Sequence, residues 1–272
     1  MTKKTASDKY NKRAREISSL LCVGLDADFE KIPKRFLKKD MPQFAFNQWI
    51  IEETHEYAAA FKINIAFYEA RGDQGIKELK ETMEYLRVYY PDIFTILDAK
   101  RADIGNTNNG YVASIFDWLG FDAVTLHPYL GAEALEPFLN RKDKVCIVLC
   151  RTSNPGAGEL QDLEFAGKKL WQIVAEKVSK DWNKNKNCML VVGATYPEEM
   201  KKIRSLAPDM TFLVPGIGAQ GGDLESVMQA GLDRENLGLI INSSRGIIFS
   251  ENPREEARKL CAQIQSCQNN LK

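Results

Sequence analysis

Eight short apolar runs recur along the chain, at residues 20–25, 60–67, 93–97, 123–126, 145–150, 189–192, 211–214 and 239–241. Strands of a parallel sheet are covered on both faces, so they read as continuous apolar stretches rather than as alternation. Segments with helical spacing lie between them, at 44–59, 74–88, 107–119 and 163–182. Pro197 suits the first turn of another helix, and residues 253–268 close the series. This alternation predicts βα units around a parallel sheet. Eight units with no block left over predict a single-domain (β/α)8 TIM barrel over residues 19–272, after an N-terminal extension of residues 1–18. An open sheet of the same units is the alternative.

The polar residues fall at one end of these runs. Asp26, Lys62, Asp98, Lys100, His127, Ser153, Thr195, Gln220 and Arg245 lie near or just after the C-terminal ends. In a barrel those ends share one face, where active sites are built.

The stretch D-A-K-R-A-D-I-G-N-T, residues 98–107, follows the third run without a cap or glycine turn. Residues two apart on a strand face the same side, so Asp98 and Lys100 should project together. An ammonium beside carboxylates is held charged, which suits a proton donor and disfavours a neutral amine nucleophile. Runs seven and eight end in P-G-I-G-A-Q-G-G-D and N-S-S-R-G. Barrels often bind phosphate on these two loops, through backbone N–H groups and a helix N-terminus. Gly216, Gly218, Gly221 and Gly222 permit close approach, Arg245 offers a fork for two phosphate oxygens, and Asp223 is placed to cap the next helix. No Walker loop occurs, and the late glycine run lacks the setting of a dinucleotide fingerprint.

Lys plus Arg equals Asp plus Glu at 37 each, so no global charge points to nucleic acid or membrane. The cysteines form no C-x-x-C pair and read as reduced thiols. With two histidines, His55 and His127, a His-rich metal site is not available. No secretory signal or long apolar span is seen. A soluble cytoplasmic protein is expected.

The run D-x-K-x-x-D resembles the signature of orotidine 5'-monophosphate decarboxylase, and the likeness extends from about residue 20 to 248. The wording R-T-S-N-P-G-A and P-G-I-G-A-Q-G-G-D resembles its stand-alone branch in some bacteria and protozoan parasites. A fused phosphoribosyltransferase domain is not expected in a chain of this length. The resemblance implies a carboxy-lyase of UMP biosynthesis that needs no cofactor or metal. By it, Asp26 and Asn64 contact the ribose hydroxyls and Lys62 holds the first carboxylate of the charged array in place. Asp98 lies against the substrate carboxylate, and Lys100 delivers a proton to C6. Asp103, Ile104 and Thr107 reach into the neighbouring subunit of a homodimer. Ser153 reads the pyrimidine amide edge and Pro215 lines the pocket. Gln220 and Arg245 bind pyrimidine and phosphate, with Gly218 and Ser244 also against the substrate. No role follows for His127 beyond a hydrogen-bonded strand end.

Three rivals remain open at this level. A sugar-phosphate decarboxylase would use a similar array with Mg2+, with Asp26 and Asp98 as ligands. A class I aldolase would need a lysine of depressed pKa. A non-catalytic nucleotide-binding barrel would bind without turnover.

Overall fold

The computed structural model describes residues 6–217 and 222–271. Eight parallel strands form a closed barrel, arranged around the ring in chain order. They are β1 (Leu21–Gly24), β2 (Ala60–Asn64), β3 (Phe94–Arg101), β4 (Ala123–Leu126), β5 (Val145–Arg151), β6 (Cys188–Val192), β7 (Phe212–Pro215) and β8 (Leu239–Ser243). β8 pairs with β1 through Leu21↔Ile241, Cys22↔Asn242 and Val23↔Ser243, which rules out the open sheet. Side chains of each strand alternate between the barrel interior and the helix layer, so Phe61, Phe94, Phe212 and their neighbours are buried. No helix among the described residues is long and apolar enough to cross a membrane.

The helices depart from the sequence reading in several places. The helix before β2 spans Pro42–Thr54 rather than reaching residue 59, because buried Ala58 and Ala59 already lead into the strand. The second apolar run is strand only to Asn64, and Ala66–Glu69 is a helical turn. The segment after β3 starts at Gly105, runs as α-helix to Val112 and continues as a π-helical stretch, Ala113–Trp118. Residues 163–182 open with a hairpin, Glu164–Phe165 against Lys168–Lys169, and not with a helix. Its turn residues Ala166 and Gly167 have φ of +50° and +74°, the paired left-handed geometry that matches the twist of a two-residue hairpin. Helix resumes only at Leu170–Glu176.

Before β1, residues Ala6–Glu16 form a helix that packs against the N-terminal ends of the strands. Tyr10 and Ala14, one turn apart, are its buried contacts. The Tyr10 hydroxyl donates to the carbonyl of Leu239, the first residue of β8, and its ring meets Phe94 edge-on at 5.7 Å. Lys9 pairs with Asp122 at 2.7 Å, and Asp122 accepts the Thr95 N–H at 3.0 Å. This helix therefore closes the end of the barrel opposite the polar strand ends.

Candidate active site

The C-terminal ends of the strands surround a cavity of about 640 Å³, within the usual size range for small-molecule sites. β1, β2 and β3 bring four alternating charges to its floor. Lys62 Nζ lies 3.4 Å from Asp26 Oδ1 and 3.3 Å from Asp98 Oδ2, and Lys100 Nζ lies 2.7 Å from Asp98 Oδ1. Lys62 is only 4% exposed, and a buried ammonium without partners would be strongly destabilising. Burial pushes its pKa down, but Asp26 and Asp98 outweigh that and hold it above the ordinary lysine value. For Asp98, burial favours the neutral acid. The ammonium groups of Lys62 and Lys100, with hydrogen bonds from Lys100 and Thr125, override this and bring its pKa down to about 2. The Lys62 ammonium thus bridges the carboxylates of Asp26 and Asp98.

Asp98 and Lys100 meet as expected, but not through regular strand alternation. Lys100 has a left-handed backbone, φ +46°, a conformation that costs an L-residue about 1 kcal/mol or more. β3 is bulged there: Leu97 pairs with Val124 and Arg101 with Leu126, so Asp98, Ala99 and Lys100 face Thr125 alone. The Thr125 hydroxyl accepts the N–H groups of Ala99 and Lys100, each at 3.0 Å, and donates to Asp98 Oδ1 at 2.9 Å. Thr125 was not among the residues expected from sequence. A threonine within a short apolar run reads as a β-branched strand former, so nothing marked it.

Asn64, at the end of β2, lines the cavity beside Asp98. Across the cavity stand Ser153, Pro215, Ser244 and Arg245. The loop carrying Ser153 is anchored by Arg151, which is 2% exposed and bonds to Glu199 at 2.6 Å and Asp162 at 3.3 Å. Gln161 also bonds to Arg151 and accepts the Thr152 N–H at 2.9 Å, so this loop is tied at its root. A Cβ on Gly193 would lie 2.8 Å from Ser153 Cβ, which explains the glycine after β6. Ser244 Oγ donates to the Gly24 carbonyl at 2.9 Å, joining the ends of β8 and β1. Arg245 is exposed and has no carboxylate partner among the described residues. Asp223 accepts the Ser226 N–H at 2.8 Å and caps the helix Leu224–Gly231, as its position suggested. Gly218, Gln220 and Gly221 lie outside the described residues.

Asp103, Ile104 and Thr107 do not line the cavity of their own chain. Ile104 is 64% exposed, as is Tyr129 at 86% on the loop after β4. The segment bearing them is firmly held. Asn108 accepts the Asp103 N–H at 2.9 Å and donates to the Asp103 and Ala134 carbonyls. His127 Nε2 is 3.2 Å from the Ala102 carbonyl, which requires the tautomer with the proton on that nitrogen. His127 is thus the hydrogen-bonded strand end expected of it.

Residues 19–260 match the profile of the "Orotidine 5'-phosphate decarboxylase / HUMPS family". The orotidine 5'-phosphate decarboxylase of Christiangramia forsetii is 46% identical over 265 residues, covering 97% of each chain. The solved structure of Leishmania donovani OMP decarboxylase superposes with a TM-score of 0.88 at 40% identity, covering 98% of this chain and 99% of that one. Leishmania donovani UMP synthase gives a TM-score of 0.90 at 42% identity over 98% of this chain, which spans 57% of that longer one.

Proposed function

The chain belongs to the orotidine 5'-phosphate decarboxylase / HUMPS family, and from that premise we propose that it converts orotidine 5'-monophosphate to uridine 5'-monophosphate and CO2 without a cofactor. This is the last step of de novo UMP synthesis. The observation that carries the reading is the alternating series Asp26, Lys62, Asp98, Lys100 on the cavity floor. Lys62, held charged between two carboxylates, does not suit a Schiff base, which needs a neutral lysine.

In the proposed reaction the bond from C6 to the carboxylate breaks and its electron pair stays on C6. The Lys100 ammonium stabilises that developing charge and transfers its proton to C6, and CO2 leaves. Lys100 then regains a proton from solvent; its side chain is half exposed to the cavity. Asp98 would stand against the substrate carboxylate, where its charge would raise the energy of the ground state. Asp26 and Asn64 would bind the ribose, Ser153 and Gln220 the pyrimidine, and Pro215 the apolar wall. Arg245, with Gly218 and Ser244 nearby, would hold the phosphate, whose binding energy steadies the ring over Lys100.

The active species in this reading is a homodimer. Asp103, Ile104 and Thr107 stand outside their own cavity on a segment tied by Asn108, in keeping with a role in the partner's site. The six cysteines are unpaired thiols, five of them buried, which suits a reducing cytoplasm. The reading treats residues 1–18 as an extension of a barrel domain spanning 19–272.

The test is the ultraviolet absorbance of orotidine 5'-monophosphate with purified protein and excess EDTA, followed beside Lys100→Ala. Loss of the substrate band with formation of uridine 5'-monophosphate, absent in a folded mutant, is the expected result. Turnover only after Mg2+ is added, or nucleotide binding without turnover, would overturn it.

A further inference from the structure

The bulge in β3 leaves a specific problem of hydrogen bonding. Three consecutive residues face one residue of β4, so the regular ladder is interrupted where Asp98 and Lys100 must be aimed. Buried N–H groups need partners, and here one side chain supplies them. Thr125 is 1% exposed. A hydroxyl has two acceptor lone pairs and one proton, and Thr125 uses all three: two for Ala99 and Lys100 N–H, one toward Asp98. With both lone pairs taken, the hydroxyl proton can point only at Asp98 Oδ1. That oxygen also accepts from Lys100 Nζ. The arrangement therefore requires Asp98 Oδ1 to be an unprotonated acceptor.

The two N–H groups converge on one oxygen in the manner of a backbone nest, which a left-handed residue permits. The left-handed residue is Lys100. Its backbone conformation and its carboxylate partner are thus fixed by the same atom. Bulges beside active sites commonly re-aim a side chain, and here the re-aimed side chain is the lysine.

We propose that Thr125 is a positioning residue for decarboxylation, whose hydroxyl holds the β3 bulge that directs the Lys100 ammonium onto Asp98. This rests on the decarboxylase reading above. Thr125 acts through Lys100 and Asp98, so its loss should be felt in the chemical step more than in substrate binding.

The test compares Thr125→Val, which keeps the shape, with Thr125→Ser, which keeps the hydroxyl, using orotidine 5'-monophosphate. In the folded Val variant kcat should fall by about 100-fold with KM little changed, and Ser should restore most of the rate. Should Val not fold, Thr125→Ala against Thr125→Ser makes the same comparison without the methyl. Wild-type kcat in the folded Val variant, or equal losses in the variants with and without hydroxyl, would overturn the inference. An inactive wild type would overturn the decarboxylase reading and this inference with it, whereas an active wild type with an indifferent Val variant overturns this inference alone.

Discussion

Asn108 brackets the backbone of Asp103, accepting its N–H at 2.9 Å and donating to its carbonyl. The backbone of Asp103 is thus gripped on both sides, and Asp103 is not among the residues lining its own cavity.

If Asp103 serves the neighbouring subunit, Asp103→Ala and Lys100→Ala should each be nearly inactive as homodimers. Equal amounts dissociated and reassociated together should recover about one quarter of wild-type activity, since half the dimers are mixed and each has one intact site. No recovery, with mixed dimers demonstrated, would assign Asp103 to its own chain.

Arg245→Ala should lower kcat/KM for orotidine 5'-monophosphate by roughly 10- to 100-fold, the range for losing a charge-assisted hydrogen bond. Binding of the nucleoside without phosphate should be unaffected. Equal losses for both ligands would remove Arg245 from the phosphate site.

The depressed pKa of Asp98 fixes the sign of an acid effect. Its stabilising contribution is fully present above the ordinary value of 3.8 and is lost as pH falls from there through about 2. The contribution is on the order of 2 kcal/mol. Urea unfolding of wild type and Asp98→Asn should differ by a constant amount above about pH 5 and converge as the pH is lowered below 3.8. A gap that stays constant into that range would mean Asp98 is not held ionised.

Tyr10→Phe removes the donor to the buried Leu239 carbonyl and should lower stability by about 1–3 kcal/mol. The contact is at the end of the barrel remote from Lys100, so kcat at temperatures well below unfolding should be unchanged. Loss of turnover without loss of stability would contradict that separation.

The barrel was legible because parallel strands buried on both faces become uninterrupted apolar runs, and these eight appear where the strands lie. The charged array was legible because aspartate and lysine stand out at strand ends. What escaped were contacts in which ordinary residues serve backbone groups. Thr125 is indistinguishable in sequence from a strand-forming threonine, and the clamp by Asn108 depends on how the chain folds back on Asp103 and on the approach of Ala134 from the following helix. The helix Ala6–Glu16 escaped because Tyr10 and Ala14 alone carry its buried face. The hairpin at 164–169 was read as helix because its apolar residues continue a helical spacing across Ala166 and Gly167, whose left-handed geometry the spacing does not encode.

The contact between Gly24 and Ser244 is the seam at which the first and last strands meet. It leaves no space for a side chain at residue 24, because a Cβ there would lie 2.8 Å from Ser244 Cβ. The same seam forms one wall of the cavity, between Asp26 on one side and Arg245 on the other. On the proposed reading, a nucleotide with its ribose at Asp26 and its phosphate at Arg245 would span this seam. Without that seam Ser244 and Arg245 would leave the cavity wall, and only Ser153 and Pro215 would still stand across from Lys62, Asp98 and Lys100.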